Sequence, residues 1–245
     1  MPRLRLDQEL VRQGFFASTD DAMRSVMAGE VSTSDRRFDR PGEQVKPGIE
    51  LHVRGRAPFV SRGGIKLAAG LTAFDVNPAG CRCLDVGCST GGFTDCLLRH
   101  GAATVVSVDV GYAQFDWSLR QDPRVTLYER TNVIELAERF VAGTFDLAVC
   151  DVSFTSVLTI APAVRAMLES DGRFLTLVKP QFEVERGEVG KGGIVRDEGA
   201  RRRALQRVSS GLEEMGFSVQ GTCDSPIRGH KGNKEYLLLA HAKAM

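Results

Sequence analysis

From residue 80 onward the sequence alternates short apolar runs with stretches of helical character. Residues 83–86, 105–109, 145–151, 174–178 and 236–240 read as strands, and helices are expected near 91–100, 133–141, 156–168 and 199–215. Runs that stay apolar at consecutive positions belong to strands covered on both faces. Alternation of such strands with helices argues for an α/β fold, an open and mostly parallel sheet with helices on both sides. Ligands bind such sheets at the carboxyl ends of the strands, so residues at those ends matter most for function.

Residues 1–54 have a different texture. Leu6, Leu10 and Val11 are spaced for a helix that Gly14 closes, and Ser18 with Asp21 resembles a capping box ahead of Ala22, Val26 and Met27. Short strand-like pieces follow at 31–33, 44–46 and 49–53. A chain of 245 residues has room for this small α+β module beside one medium domain. The expected division is 1–54, a linker at 55–61, and 62–245.

The first strand of the large region runs into Leu84-Asp85-Val86-Gly87-Cys88-Ser89-Thr90-Gly91-Gly92-Phe93. Glycines there permit a tight turn and a close approach of ligand to backbone. Asp109 ends the next strand, 24 residues after Asp85, where a carboxylate can accept from both hydroxyls of a ribose. A dinucleotide fingerprint needs a glycine where Ser89 stands. The D-x-G-x-x-x-G-G pattern instead resembles S-adenosylmethionine methyltransferases. A dinucleotide site and a turn without ligand remain open on the turn alone. Asn132 and Val133 would lie near an adenine, and Asn132 equally suits a helix N-cap.

Four ionisable residues sit at element ends facing one rim. They are Lys66 on a helix that Ser61 is placed to cap, Asp151 and Lys179 at strand ends, and Glu235 at the start of the last strand. Each alone is an ordinary surface charge or ion-pair member, and Lys179 is the most suggestive, since an apolar strand leads into it and Pro180 stops the pairing.

Three longer segments, DVGCSTGGFTDCLL with VDVGYAQ, LVKPQFEVERGEVGKGGIVRD, and SPIRGHKGNKEYLL, closely resemble the TlyA family, and the Lys–Asp–Lys–Glu arrangement is similar to that of RrmJ/FtsJ-type ribose 2′-O-methyltransferases. The TlyA resemblance covers nearly the whole chain. It implies a Rossmann-like S-adenosylmethionine-dependent domain with a mostly parallel seven-stranded sheet, preceded by an S4-like RNA-binding domain. It implies methyl transfer to cytidine in 16S and/or 23S ribosomal RNA, with Lys66, Asp151, Lys179 and Glu235 as catalytic tetrad. The cofactor set is then Asp85, Gly87, Ser89, Gly91, Gly92 and Phe93 in the turn, with Asp109, Val110, Asn132, Val133 and Asp151 from later strand ends. Arg5, Arg54, Arg56, Arg62, Arg228, Lys231 and Lys234 are the expected RNA contacts, with His230 among them in sequence. The expected partners are ribosomal RNA or ribosomal subunits, met by a cytoplasmic monomer. S4 domains usually carry Ser-Arg at the start of their second helix and Val-Asn-Gly after it. Here Ser18-Thr19-Asp20-Asp21 and Val31-Ser32-Thr33-Ser34 stand there, and Arg36, Arg37 and Arg40 are the cations available to compensate.

Two other regions invite opposite readings. The glycine-rich stretch from Glu183 to Gly193 reads either as a surface loop or as a lid over the site. The run Arg201-Arg202-Arg203 reads as a solvated helix face. Six cysteines without a paired C-x-x-C set read as reduced core thiols, so no metal is expected.

Net charge is +1, and 42% hydrophobic with 26% charged residues is ordinary for a globular protein. That excludes a disordered chain and a strongly basic coat protein. Position matters more than the sum. Residues 51–74 hold four basic groups and no acid, and residues 226–234 hold three more. Those stretches argue against a methyltransferase of small molecules. A membrane-active haemolysin, which the family's older name suggests, needs an apolar or amphipathic membrane segment that is not apparent. An RNA-binding protein without catalysis would not need all four tetrad residues.

Overall fold

The computed structural model describes all residues except 1, 2, 17, 34, 50, 56, 57, 230 and 245. The N-terminal unit comprises β1 (Leu4–Arg5), α1 (Leu6–Arg12), α2 (Thr19–Met27), β2 (Val31–Ser32), β3 (Gln44–Val45) and β4 (His52–Val53). Ser18 caps α2 as its sequence position suggests, its Oγ accepting from Asp21 N at 3.2 Å. β1 pairs with β3 and β2 with β4, both antiparallel. Leu6, Leu10, Phe16, Val26, Val31 and Phe38 belong to a hydrophobic cluster of the unit's own.

The larger region follows as α3 (Arg62–Ala73), β5 (Arg82–Val86), α4 (Gly92–Arg99), β6 (Thr104–Val108), α5 (Trp117–Arg120), β7 (Val125–Tyr128), α6 (Val133–Ala137), β8 (Phe145–Cys150), α7 (Val157–Met167), β9 (Leu168–Val178), α8 (Pro180–Glu183), α9 (Glu198–Glu214), β10 (Phe217–Asp224) and β11 (Tyr236–Ala242). Its seven strands lie in the order β10-β11-β9-β8-β5-β6-β7. β5 pairs in parallel with β6 and β8, β6 with β7, and β8 with β9. β11 is antiparallel to both β9 and β10.

Side chains alternate along each strand and feed two cores. Leu84, Ala148, Phe174 and Leu238 pack with α6, α7 and α9 on one face. Cys83, Leu147, Leu175 and Leu237 pack with α3 and α4 on the other. Burial on both faces is the reason these strands read as continuous apolar runs. β7 and β10 are edge strands with mostly half-exposed or exposed residues, and the apolar pattern did not mark them. All six cysteines are unpaired, and burial pushes the Cys150 thiol up to about 12. Among the described residues, no helix is long and apolar enough to cross a membrane.

The topology gathers the chemistry. The parallel strands β5, β6, β8 and β9 deliver the turn at 87–91, Asp109, Asp151 and Lys179 to one edge of the sheet. Because β11 runs the other way, its first residues meet that same edge, which is why Glu235 belongs there despite preceding its strand.

Candidate active site

The turn after β5 is built by backbone constraints. Gly87 has φ 78°, and a Cβ on it would come within 3.0 Å of the Asp151 carbonyl oxygen. Gly87 N and Cys88 N both donate to Val108 O, at 2.9 and 3.2 Å, fixing the turn to the next strand. Ser89 takes φ 47°, and its N–H donates to Asp109 Oδ2 at 2.8 Å. A side chain at Gly92 would overlap Ser61 Oγ, so that glycine lets α4 approach the start of α3. Ser61 stands at the α3 N-cap in an extended conformation, but its hydroxyl makes no capping bond there.

Two cavities flank this turn. The first, about 550 Å³, is lined by Gly87, Ser89, Asp109, Val110, Asn132, Val133 and Asp151, all seven from the expected cofactor set. Asp109 Oδ1 accepts from Gly111 N at 2.6 Å and Oδ2 from Ser89 N at 2.8 Å. Each carboxylate oxygen can accept a second hydrogen bond, as holding a diol requires. Asn132 both lines the cavity and caps α6, accepting from Ile134 N at 3.0 Å. Gly92 and Phe93 line the second cavity.

Asp85 and Gly91 correct the expectation, because neither lines a cavity. Asp85 is fully buried, and its Oδ2 accepts from Thr94 Oγ1 at 2.6 Å. Burial pushes its carboxyl up to about 7. It supports the turn from beneath. Gly91 turns its Cα toward Leu119 and Phe115 and serves the backbone conformation that opens α4, with φ 92°.

The second cavity, about 570 Å³, is lined by Lys66, Asp151, Lys179 and Glu235 together. They form two ion pairs. Lys66 Nζ lies 2.5 Å from Glu235 Oε2, both side chains almost fully buried. Lys179 Nζ lies 2.6 Å from Asp151 Oδ1 and donates to Ser153 Oγ at 2.8 Å. The first Lys179 contact is close in distance but poorly aligned, so among the described residues the buried Asp151 Oδ1 accepts no well-formed hydrogen bond. Asp151 itself lines both cavities, with this oxygen turned to the Lys179 ammonium.

Sequence reasoning missed several residues of this site. Phe154 has φ 66°, a strained conformation for a bulky residue, and is 92% exposed. It lines both cavities and lies 5.3 Å from the Phe182 ring. The available signal was an aromatic outside the strand period, three residues beyond Asp151. Glu183 of α8 ties the segment after β9 to the start of α7, accepting from Ser156 Oγ at 2.7 Å and Val157 N at 2.8 Å. Burial raises its carboxyl. Asn233, also buried, donates to Gly193 O at 2.7 Å and accepts from Val195 N at 3.0 Å.

Those last bonds settle the shape of the glycine-rich stretch. It folds as a wall, bridged between Gly190 and Ile194 and held by α9 on its other side. Arg201 donates to Val195 O at 3.2 Å and Arg196 O at 3.1 Å, Arg207 to Glu183 O at 2.5 Å, and Arg203 pairs with Glu188. Arg201 of the arginine run thus braces this wall together with Arg207, while Arg202 and Arg203 keep the solvated face expected of the run.

The expected RNA contacts divide. Arg62 and Lys231 are exposed and line the mouth of the catalytic cavity. Arg228 is exposed beside them, its carbonyl 3.5 Å from Arg62 Nη2. Arg54 is exposed on the turn after β4. Arg5 is held by Asp7 at 2.6 Å within the N-terminal unit. Lys234 does not line the cavity; it is half-exposed, pairs with Asp224 at 2.9 Å and lies 5.3 Å from the Tyr236 ring centroid. The acid missing from its own stretch comes from the end of β10. Arg56 and His230 lie outside the described residues. No group of three or more His, Cys, Asp or Glu among the described residues is arranged to hold a metal ion.

Comparison with known proteins matches this geometry. A family model described as FtsJ-like methyltransferase matches residues 59–242. The 16S/23S rRNA (cytidine-2′-O)-methyltransferase TlyA of Mycobacterium tuberculosis is 44% identical over 238 residues, covering 96% of this chain and 89% of the relative. Hemolysin A of Brachyspira hyodysenteriae is 39% identical, covering 96% of this chain and 98% of its own. A solved structure from Streptococcus thermophilus, provisionally named a hemolysin, superposes with a TM-score of 0.74 at 40% identity, covering 99% of this chain and 90% of that one.

Proposed function

We propose that this chain, which belongs to the FtsJ-like methyltransferase family, transfers a methyl group from S-adenosylmethionine to the ribose 2′-hydroxyl of a cytidine in ribosomal RNA. One observation carries the reading: two Lys–carboxylate pairs, Lys66–Glu235 and Lys179–Asp151, line a single cavity that adjoins a second cavity suited to a nucleoside. Asp109 would hold the cofactor's ribose, Asn132 and Val133 its adenine, and the Gly87–Ser89 turn with Asp151 its amino-acid end. The second lone pair on each Asp109 oxygen and the position of Asp151 on both cavities fit that assignment. When bound, S-adenosylmethionine supplies a methyl group on a sulfonium, an electrophile that needs no further activation.

The protein's task is then to align the hydroxyl and take its proton. Lys179 accepts the proton or stabilises the charge that develops on O2′. Asp151 fixes Lys179 in place. Lys66 and Glu235 hold each other rigidly and orient the ribose from the opposite wall. Phe154, exposed beside Phe182 at the junction of the cavities, offers an aromatic face on which an unstacked base can rest, the mode by which single-stranded RNA is commonly held. Arg62, Arg228 and Lys231 meet the phosphates. The N-terminal unit acts as an S4-like RNA-binding domain that docks the enzyme on its substrate.

The test is incubation of the protein with labelled S-adenosylmethionine and unmodified ribosomal RNA or subunits, followed by mapping of ribose methylation. The expected result is modification at cytidine that Asp151→Ala abolishes. Ribose methylation absent from every substrate, with cofactor bound, would refute the reading.

A further inference from the structure

We propose that Ser153 relays the proton of the target hydroxyl to Lys179. The inference rests on the ribose-methylation reading above. Among the described residues, only Gly87, Ser89, Asp151, Ser153 and Phe154 line both cavities. Of these, Asp151 and Ser153 contact Lys179. The Lys179 side chain is 9% exposed and faces the catalytic cavity alone, whereas Ser153 is exposed. The hydroxyl therefore stands between the buried amine and the space where methyl donor and acceptor must meet.

The two Lys179 partners differ in what they can do. Ionised Asp151 accepts only, and has no proton to pass on. A serine hydroxyl accepts one proton while donating another. The 2.8 Å between Lys179 Nζ and Ser153 Oγ is within reach of direct proton transfer.

Lys179 Nζ donates to Ser153 Oγ in the structure; once the ammonium has released a proton to solvent the bond reverses, so that Ser153 O–H donates to Nζ and Ser153 Oγ accepts from the 2′-hydroxyl. The bond between O2′ and the methyl carbon forms as the methyl–sulfur bond breaks, and the released electron pair stays on sulfur. The O2′ proton moves to Ser153 Oγ while the serine's own proton moves to Lys179 Nζ. The products are a methyl ether, a neutral thioether, an unchanged serine and a lysine ammonium. Asp151, 2.6 Å away, stabilises that new charge.

Single-turnover methylation of ribosomal RNA by wild type, Ser153→Ala and Ser153→Thr tests this. Loss of the relay in Ser153→Ala should slow transfer about 100-fold or more, with equilibrium binding of S-adenosylmethionine unchanged. Ser153→Thr, which keeps the hydroxyl, should recover most of the rate. Rate plotted against the fraction of heavy water should bow for the wild type, reporting two protons in motion, and straighten in Ser153→Ala. Independently of turnover, the Lys179 ammonium signal in protein made with isotope-labelled lysine should be sharp in wild type and Ser153→Thr, and lost to exchange in Ser153→Ala. A Ser153→Ala enzyme at the wild-type rate overturns the relay alone. So does a Thr variant as slow as Ala, or a straight wild-type plot. A wild-type protein that binds cofactor yet methylates no ribose overturns the underlying reading, and the relay with it.

Discussion

Removing Glu235 while keeping Lys66 should unfold the protein more readily than removing both. The pair is 2.5 Å long, and its side chains are 9% and 3% exposed. Deleting one member of such a pair strands the other charge away from water, at a cost of about 3–5 kcal/mol. For a chain of this size each kcal/mol moves the melting midpoint by about 2–4 °C, so Glu235→Ala should melt about 6–20 °C below the wild type. Replacing both residues with apolar groups of similar volume, Lys66→Met with Glu235→Leu, removes the stranded charge and should bring stability back to within about 2 kcal/mol. Thermal melts followed by circular dichroism measure this directly. Methyl transfer, assayed at a temperature where all variants remain folded, should be lost in both. Stability and catalysis then separate: the double variant is folded and inactive. A Glu235→Ala protein that melts with the wild type would show that the pair is solvated in solution. A double variant as unstable as the single would assign the loss to packing rather than to charge.

Other consequences are simpler. Asp109→Ala removes the acceptors for two ribose hydroxyls and one anchor of the turn; cofactor affinity by calorimetry should fall at least about 100-fold, from two hydrogen bonds worth about 1.5–3 kcal/mol each, and unchanged affinity would refute the ribose assignment. Asp85, buried and raised to about 7, keeps its proton in the folded state where the unfolded chain, near 3.8, has released it. Its stabilising contribution is therefore complete below about pH 4 and lost as pH rises through about 7. Urea titrations should find a decline on the order of a few kcal/mol across that window in the wild type and a flatter curve in Asp85→Asn. Arg201→Ala frees two carbonyls of the wall at 195–196; limited proteolysis should cut this segment faster while the N-terminal unit is unaffected, and equal cleavage rates would remove the bracket role of α9.

What the sequence made legible follows from burial. Strands such as 145–150 and 236–242, covered on both faces, advertise themselves as apolar runs, and the reactive groups at their ends could be picked out with them. The edges β7 and β10 lack that signal. Asp85 shows a subtler failure. The motif around it marks a ligand-binding turn, but strand alternation decides where a side chain points. Asp85 shares its sheet face with Cys83, beneath α4, and it meets Thr94 there instead of the cofactor cavity. Ser153 and Phe154 lie in an irregular loop, where no period assigns direction. The bracing by Arg201 and Arg207 was not legible because their partners are backbone carbonyls, which no charge pattern in sequence records.

The near-zero net charge conceals a separation that the two substrates require. Among the described residues, the catalytic cavity is lined by four cations, Arg62, Lys66, Lys179 and Lys231, against two carboxylates, Asp151 and Glu235. The adjoining cavity is lined by Asp109 and Asp151 and by no cation at all. One donor is a small molecule that brings a positive sulfonium and a diol; the acceptor is a polyanion. A uniformly basic surface would attract the second and repel the first. Here Asp151 belongs to both cavities, and the balance of lining charge changes from positive to negative across it, where the proposed reading puts methyl transfer. The charge that must be screened for the RNA to leave lies on exposed Arg62 and Lys231, while Lys66 and Lys179 are neutralised by their own partners at 2.5 and 2.6 Å. On the proposed function, binding strength and reactivity then fall to different cations, and one set can be tuned without disturbing the other.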